Sequence, residues 1–184
     1  MCGGRGTRLD SEVEKPLFEV GGEAMVDRVR RALDASGAER TLAVTAPHAP
    51  ATRDHLDGRL PLVETPGEGY VADLDAALAD ARVESPVLTV AADLPLLAGA
   101  AIDRVLAAHE GDESLTVCVP AALKERLGVS ADTTFEGRDC RLAPTGVNVV
   151  DTTEDSPMLS YDTRLAVNVN RRSDAAVAEG LLCD

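Results

Sequence analysis

The chain is poor in aromatic residues. It holds two Tyr, two Phe and no Trp, which together make up 2% of its 184 residues. Proteins that bind single-stranded nucleic acid stack the bases on exposed aromatic side chains. A formal net charge of -14 also disfavours a polyanionic partner. The composition therefore predicts no nucleic-acid partner.

Long apolar runs and paired cysteines are absent as well. No stretch reaches the roughly 18 apolar residues that a membrane-spanning helix needs, so the sequence predicts no membrane span. The cysteines form no C-x-x-C pair, and no histidine lies at metal-ligand spacing, which disfavours a zinc site. Reduced thiols in a cytoplasmic protein are the simplest interpretation of the four, Cys2, Cys118, Cys140 and Cys183.

Lysine is the third scarce residue. Only Lys15 and Lys124 are lysines among 18 basic residues, and 32 residues are acidic. This composition resembles that of proteins from salt-loving organisms, in whose cytoplasm the Debye length falls to about 3 Å. Lys124 is expected to be a solvated helix residue, whereas Lys15 follows a glycine-rich stretch and is a candidate functional residue.

That glycine-rich stretch reads CGGRGTRL over residues 2–9. Its glycines let the backbone approach an anion closely and point N–H groups at it. Basic side chains can then neutralise the phosphates of a nucleotide. The candidate phosphate-binding residues are Gly3, Gly4, Arg5, Gly6, Thr7, Arg8 and Lys15.

The stretch does not match two other phosphate-binding motifs. A P-loop needs Gly-Lys-Ser/Thr after four intervening residues, and a dinucleotide fingerprint needs a third glycine where Leu9 stands. Neither pattern is present. A flexible turn with solvated arginines stays open as the plain alternative.

Helical and extended patterns alternate along the chain. Such alternation predicts an α/β fold, a three-layer arrangement with a mostly parallel sheet and right-handed crossovers, in one domain spanning residues 1–184. Residues 121–142 are irregular and polar. The predicted helices are 25–33, 51–56, 71–81, 102–106 and 175–182. The predicted strands are 41–46, 60–65, 86–91, 115–119, 147–150 and 165–169.

Several polar residues follow these strands, at the sheet edge where ligands bind. Asp93 comes after strand 86–91 and is suited to hold Mg²⁺, or alternatively to cap a helix or turn. Asn168 and Asn170 are candidate metal ligands opposite it, or else cap backbone groups.

A second glycine-rich loop follows strand 60–65. Gly67, Gly69 and Tyr70 could face a nucleobase or ribose, or form an ordinary turn. Asn148 lies in a third loop–strand segment and is a candidate for the same nucleotide.

Five segments carry a resemblance to a known family. GGRGTRL…EKPL resembles the signature loop of nucleotidyltransferases, and AADLPLL resembles their D-x-P metal motif. With ETPGEGYVADL, PTGVNVV and VNVNRRSDAAVAEGLL, the order and spacing resemble the archaeal GTP:adenosylcobinamide-phosphate guanylyltransferases, within the MobA-like nucleotidyltransferase superfamily.

The resemblance implies a Rossmann-like fold and an enzyme of cobalamin biosynthesis. GTP and adenosylcobinamide phosphate would be its substrates, Mg²⁺ its metal and pyrophosphate its leaving group. The loop amides would wrap the β- and γ-phosphates, Arg8 and Lys15 would neutralise charge, and Asp93 would hold Mg²⁺. Molybdenum-cofactor guanylyltransferases, sugar-1-phosphate nucleotidyltransferases and a nucleotide-binding regulator remain alternatives, and a homodimer is left open.

One departure from the family concerns the first strand. The family places about five apolar residues before the signature loop, whereas here the loop begins at residue 2. We therefore expect the chain as given to lack the first strand, which would be central in the sheet and buried on both faces.

Overall fold

The computed structural model describes residues 1–4, 6–152 and 154–183, and its helices and strands alternate as the sequence predicts. The helices are α1 Met25–Asp34, α2 Pro50–Leu56, α3 Tyr70–Leu78, α4 Gly99–Ala108, α5 Ala121–Leu127, α6 Thr163–Ala166 and α7 Arg172–Cys183. The strands are β1 Glu19–Val20, β2 Glu23–Ala24, β3 Ala43–Thr45, β4 Leu62–Glu64, β5 Val87–Val90, β6 Ser114–Pro120, β7 Phe135–Glu136, β8 Arg141–Val150 and β9 Asp155–Leu159. In the part of the chain that is described, no helix combines the length and apolarity needed to cross a membrane.

The main sheet is mixed. Its strand order is β5-β8-β6-β9, with β7 paired to the start of β8. β6 and β9 run parallel, and so do β3 and β4 in a separate pair. β8 runs antiparallel to both of its long neighbours, because the chain turns back through β7 directly into β8. The predicted α/β class is confirmed, and the antiparallel β8 lies at the centre of its larger sheet.

Two extended residues join the β3–β4 pair to the main sheet. The amino group of Met1 donates to the carbonyl oxygen of Val90 over 2.8 Å. The N–H of Cys2 donates to Val44 over 2.9 Å, and Ala92 donates to the carbonyl of Met1 over 3.2 Å. Met1 and Cys2 thus lie between β3 and β5 and connect the two strands through backbone hydrogen bonds.

A groove of about 860 Å³ continues from these two residues between β3 and β5. Apolar side chains of α1 and α3 line it from either side, among them Val29, Leu33, Leu74 and Leu78. Its walls are therefore the facing edges of two strands together with two helices.

Helices cover both faces of the sheet near β5. Side chains of α1 and α4, including Val29, Ile102 and Val105, pack on the buried residues of β6 and β8. α3 lies on the other face. The hydroxyl of Tyr70, at the start of α3, lies 3.3 Å from the hydroxyl of Thr89 in β5. Successive side chains of a strand point to opposite faces, so the neighbours of Thr89 point to the face that α1 and α4 cover. This arrangement is the predicted set of three layers.

The later part of the chain departs from the prediction in three places. Residues 165–169 are not a strand, because Asp162 caps a short helix there by accepting from the N–H of Arg164 over 3.1 Å. Residues 121–142 contain α5 and β7 rather than only irregular structure. β9 was not predicted, since only alternate residues of this edge strand are half-buried and its apolar pattern is weak.

Candidate functional site

The glycine-rich loop folds back onto Lys15. Gly6 has a φ of +61°. A side chain at this position would place its Cβ 2.8 Å from the Cβ of Lys15, so only glycine fits. Leu9, 1% exposed, anchors the far end of the loop in the core. Arg5, one of the predicted phosphate-binding residues, lies outside the described residues.

Glu14 fixes the position of the residue that follows it. Its carboxylate accepts from the N–H groups of Ala51 and Thr52 over 2.9 and 2.7 Å, and from the Thr52 hydroxyl over 2.6 Å. These donors are at the start of α2, where backbone N–H groups lack helical partners. Burial acts to raise the pKa of Glu14, but the hydrogen bonds from Thr52 and Ala51 outweigh it and hold that pKa below its ordinary value.

Lys15 joins the loop to the end of β5. Its ammonium group donates to Oδ2 of Asp93 over 2.6 Å and to Oδ1 of Asn170 over 2.7 Å. The side chains of Lys15 and Asp93 are 12% and 17% exposed, so little solvent screens the pair. Asp93 is therefore not a simple helix cap: its carboxylate accepts from side chains of two other segments.

Asn168 supplies the second of these contacts. Its Nδ2 donates to Oδ1 of Asp93 over 3.0 Å and to the carbonyl of Thr145 over 2.8 Å. Its Oδ1 accepts from the ammonium group of Lys124 over 2.9 Å. The metal-ligand role of Asn168 stays a prediction. In this structure the side-chain oxygen of Asn168 faces Lys124 rather than the cleft.

The expectation that Lys124 is solvated is wrong. Its residue is 3% exposed, and its ammonium group also donates to the carbonyl of Ala166 over 2.8 Å. Burial lowers the pKa of Lys124, and nearby carboxylates, that of Asp93 first among them, only partly offset the effect. Helical periodicity missed this, because Leu123 and Leu127 mark an apolar face of α5 into which Lys124 also points.

Asp174 holds the segment that carries both asparagines. It is 1% exposed and accepts from the backbone N–H groups of Asn170 and Arg171 and from Ser130. The contacts to Ser130 tie this turn to the residues after α5. The start of α7 and the position of Asn170 are thus set by one buried carboxylate.

A cleft of about 180 Å³ lies beside Asp93. The glycine-rich loop, the second glycine loop and the end of β5 all contribute to it. Its lining includes Gly3, Gly4, Lys15, Gly69, Tyr70 and Asp93. Six residues predicted from the sequence as site residues therefore meet in one cleft.

The second glycine loop is fixed by a carboxylate at the start of α3. Asp73 is 5% exposed and accepts from the N–H of Gly67 over 2.7 Å. Gly67 has a φ of +73° and lies against His48, whose ring nitrogen contacts the carbonyl of Gly3 at 2.8 Å. Asp73 and His48 therefore hold the two glycine loops side by side.

Asn148 joins the rim of the cleft through Tyr70. Its Nδ2 donates to the Tyr70 hydroxyl over 3.0 Å and to the Thr89 hydroxyl over 3.2 Å. Tyr70 is half exposed, at 49%, and lines the cleft. The three side chains form a polar patch on the sheet face that α3 covers.

Arg8 points away from Asp93 and pairs elsewhere. Its guanidinium group bonds to Asp132 over 2.9 Å, and Arg171 bonds to the same carboxylate over 2.6 Å. Arg171, followed by Arg8, holds the pKa of Asp132 below its ordinary value. Thr7 is exposed. These two predicted residues therefore lie near the site without reaching Asp93.

Sequence reasoning missed five residues that shape the site. They are Glu14, His48, Asp73, Lys124 and Asp174. Asp73 lies in a quoted motif, and Asp174 stands before an apolar helical pattern, so capping rules could have indicated both.

Over residues 1–4, 6–152 and 154–183, no group of three or more His, Cys, Asp or Glu side chains is placed to hold a metal ion. All four cysteines are free thiols.

Comparison with known proteins agrees with the predicted resemblance. The family described as the MobA-like NTP transferase domain matches residues 1–178. The adenosylcobinamide-phosphate guanylyltransferase of Methanocaldococcus jannaschii is 30% identical, over 99% of this chain and 95% of that protein. The bifunctional protein GlmU of Streptococcus mutans is 28% identical over 70% of this chain, which spans 28% of GlmU.

Solved structures agree on the fold. A nucleotidyl transferase from Methanothermobacter superposes with a TM-score of 0.64 at 15% sequence identity, covering 98% of this chain and 94% of that one. The cleft, the two glycine loops and Asp93 thus occur in a fold and a sequence that both match nucleotidyltransferases. The chain belongs to the MobA-like NTP transferase domain family and is a nucleotidyltransferase.

Proposed function

We propose that the protein transfers the guanylyl group of GTP to adenosylcobinamide phosphate, with release of pyrophosphate, in cobalamin biosynthesis. One structural observation carries the chemistry: the ammonium group of Lys15 lies between Asp93 and Asn170, at the mouth of a glycine-lined cleft. The choice of substrates is supported by the relative from Methanocaldococcus jannaschii, which is similar along nearly its whole length.

The glycine-rich loop is the proposed phosphate cradle. Gly3 and Gly4 line the cleft beside Lys15, and Gly6 lies in contact with it. Backbone N–H groups in such loops bind phosphate oxygens. With Thr7, we assign this loop to the β- and γ-phosphates, and Arg8 reaches them by leaving Asp132.

The residues around Lys15 fit a divalent cation. One ammonium group contacts oxygens of both Asp93 and Asn170, at 2.6 and 2.7 Å, so two hard oxygen donors already converge on a positive charge. Mg²⁺ prefers one or two such oxygens together with phosphate oxygens. We propose that Asp93 and Asn170 hold Mg²⁺ once Lys15 has turned to the phosphates; the ligand role predicted for Asn168 is not part of this proposal, because its oxygen accepts from Lys124. When bound, Mg²⁺ would neutralise charge on the transferring and leaving phosphates.

The chain's own part in the reaction is positioning and charge neutralisation. An oxygen of the acceptor phosphate forms a new bond to the α-phosphorus of GTP, and the bond to the bridging oxygen breaks, so pyrophosphate leaves with that electron pair. The attacking phosphate is already anionic, so no general base is needed. Lys15 would neutralise charge that builds up on the pyrophosphate oxygens.

The nucleoside is proposed to lie along the second glycine loop. Gly69 and Tyr70 line the cleft together with Lys15, and Gly67 is fixed by its hydrogen bond to Asp73. Asn148 contacts the Tyr70 hydroxyl and extends the polar rim. We assign these residues to the base and ribose of GTP.

The experiment that tests the proposal supplies GTP and Mg²⁺ with each acceptor in turn. Adenosylcobinamide phosphate, N-acetylglucosamine 1-phosphate and molybdopterin cover the three acceptor classes, and GTP, CTP, ATP and UTP are compared. The proposal expects pyrophosphate release and a guanylylated product only with GTP and adenosylcobinamide phosphate. Turnover with the sugar phosphate or with molybdopterin instead would overturn it.

The charge composition supports a further part of the proposal, the working environment. Thirty-two acidic residues against 18 basic ones, nearly all of them arginine, suit a protein dissolved at high salt. We propose that the protein acts in the cytoplasm of a salt-loving archaeon.

A further inference from the structure

We propose that Lys124 is a positioning residue for nucleotidyl transfer, acting through Asn168 on the carboxylate of Asp93. The inference rests on the proposed role of Asp93 in that reaction. It begins from a coincidence in the sequence: the chain has two lysines, and the structure places both in one hydrogen-bond network, on opposite sides of Asp93.

The chemistry of its neighbours fixes the orientation of the Asn168 amide. An ammonium group only donates hydrogen bonds, so the atom that faces Lys124 at 2.9 Å must be the carbonyl oxygen. A backbone carbonyl only accepts, so the atom that faces Thr145 at 2.8 Å must be the NH₂ group. The same NH₂ group then has to donate to Asp93. Without Lys124 the amide oxygen loses its partner, and only the two contacts of the NH₂ group still hold the amide in place.

A purely structural role explains Lys124 poorly. An apolar side chain could fill this place in α5 without the free-energy cost of burying an ammonium group. The chain also uses arginine for nearly every other basic position. A compact ammonium group suits this site, because it must contact the Ala166 carbonyl and the Asn168 oxygen at once in a space closed to solvent.

Fixing Asn168 also fixes the direction of the second carboxylate oxygen. With Oδ1 of Asp93 bound to Asn168, Oδ2 is the oxygen that faces Lys15 and the cleft. Lys124 thereby tightens the rotation of the carboxylate through Asn168, without a hydrogen bond to Asp93 itself.

Kinetics test the proposal with two substitutions and their combination. Lys124→Met should lower kcat about tenfold while KM for GTP changes less than twofold, because the cleft itself is unchanged. Asn168→Ala should have a similar effect. In the double variant, kcat should match that of Asn168→Ala, since Lys124 acts through that residue. Independent, multiplying losses would overturn the proposal.

The matched control is Leu123→Ala, which removes packing from the same helix without reaching the network. It should lower the melting temperature but leave kcat near wild type. An equal loss of kcat in the control and in Lys124→Met would mean that damage to α5, rather than the lost ammonium group, explains the effect.

A spectroscopic arm does not depend on activity. The chain has three asparagines and no glutamine, so a ¹⁵N-labelled sample gives three side-chain NH₂ signal pairs. We expect the Asn168 pair to exchange with solvent at least tenfold faster in Lys124→Met, and at the wild-type rate in Leu123→Ala. Unchanged exchange in both variants would contradict the proposal.

The two arms separate this inference from the proposed function. If the wild type transfers no guanylyl group but Lys124→Met releases the Asn168 amide, the proposed function fails and the positioning contact stands. If the wild type is active and Lys124→Met retains both rate and protection, the positioning inference alone fails. Should Lys124→Met not fold, Lys124→Met with Asn168→Leu replaces both polar partners by apolar ones, and it should fold with the kcat of Asn168→Leu.

Discussion

The two sides of Asp93 are held by different kinds of contact. On one side Lys15, in a short 3₁₀ turn after the glycine loop, contacts the carboxylate at the mouth of a cleft. On the other side Asn168 contacts it from a buried segment, and its amide is fixed by Lys124 and Thr145. One partner is a cation at the edge of open space, and the other is a neutral amide with every polar atom already bound.

The difference indicates a division of labour. A lysine on a flexible four-carbon stem can turn toward a phosphate and leave its two oxygen partners to another cation. An amide held by three partners cannot turn without losing them. We therefore expect substitutions on the Lys15 side to change cation and nucleotide binding, and substitutions on the Asn168 side to change the rate.

The largest effect is expected where the two sides meet. Asp93→Asn keeps the size of the side chain but leaves one NH₂ group facing a donor, either Lys15 or Asn168. Turnover should fall at least a hundredfold, which is about 2.7 kcal/mol of barrier. A steady-state assay of pyrophosphate release measures it.

Asp80→Asn is the control for this prediction, because Asp80 also pairs with a basic side chain, that of Arg82, but lies beyond the far end of α3. It should retain wild-type turnover. If Asp93→Asn were as active as this control, the charge of Asp93 would not be needed for turnover, and the contrast between its two sides would have no bearing on the reaction.

The next effect concerns the replaceable partner. Lys15→Ala should lower turnover more than tenfold, or about 1.4 kcal/mol of barrier. It also frees the oxygens of Asp93 and Asn170, so the variant should bind Mn²⁺ more tightly than the wild type when no nucleotide is present. Titration with Mn²⁺, followed by electron paramagnetic resonance, measures the affinity.

Lys124→Met is the natural contrast, since it removes the other lysine of the network. Its Mn²⁺ affinity should stay close to that of the wild type. If both variants gained affinity equally, Lys15 would not be the group that competes with the cation.

A smaller effect is expected from the residue that positions Lys15. Glu14→Gln weakens the cap on α2 and should destabilise the protein by about 1 kcal/mol. Because the pKa of Glu14 is lowered by folding, its contribution is complete above the ordinary glutamate pKa of about 4.3 and is lost as the pH falls through the folded-state pKa.

Urea unfolding between pH 7 and pH 3 measures this prediction. The difference between wild type and Glu14→Gln should be constant near neutral pH and shrink in acid. A difference that grew as the pH fell would have the wrong sign, and the cap would have to be assigned to a neutral contact.

The smallest expected effect is that of salt, which should act on the exposed charges and not on the Lys15–Asp93 pair. Adding molar KCl should raise the melting temperature, because it screens the repulsion implied by a net charge of -14. The lowered turnover of Lys15→Ala should persist at high salt, since the Lys15–Asp93 pair is mostly buried. A melting temperature that falls with KCl would mean that the exposed ion pairs outweigh the net repulsion.

The first part of the chain was predictable because each helix or strand there has a clear pattern in its own local sequence. The helix of residues 25–33 and the strand of residues 86–91 have clear periodicity, and both occur as α1 and β5. Asp93 follows a buried strand, and parallel topology then places it at the ligand-binding edge. Local pattern and global fold agree there.

The later part was less predictable because its structure depends on tertiary contacts. The segment around Asn168 looks like a strand but is held by Lys124, Thr145 and Asp93, none of which is near in sequence. Lys124 is charged and lies on a helix, and from the sequence alone such a residue is predicted to be exposed to solvent. Only the fold shows that its partners are buried.

The scarcity of lysine also makes the site chemically addressable. Reagents that methylate lysine side chains have two lysines to modify in this sequence, Lys15 and the enclosed Lys124. A sample carrying ¹³C-methyl groups would therefore give a separate signal for each lysine of the network, one lining the cleft and one enclosed behind Asp93. A sequence with only two lysines thus leaves both of them within one hydrogen-bond network, so that a label on lysine reports on this site alone.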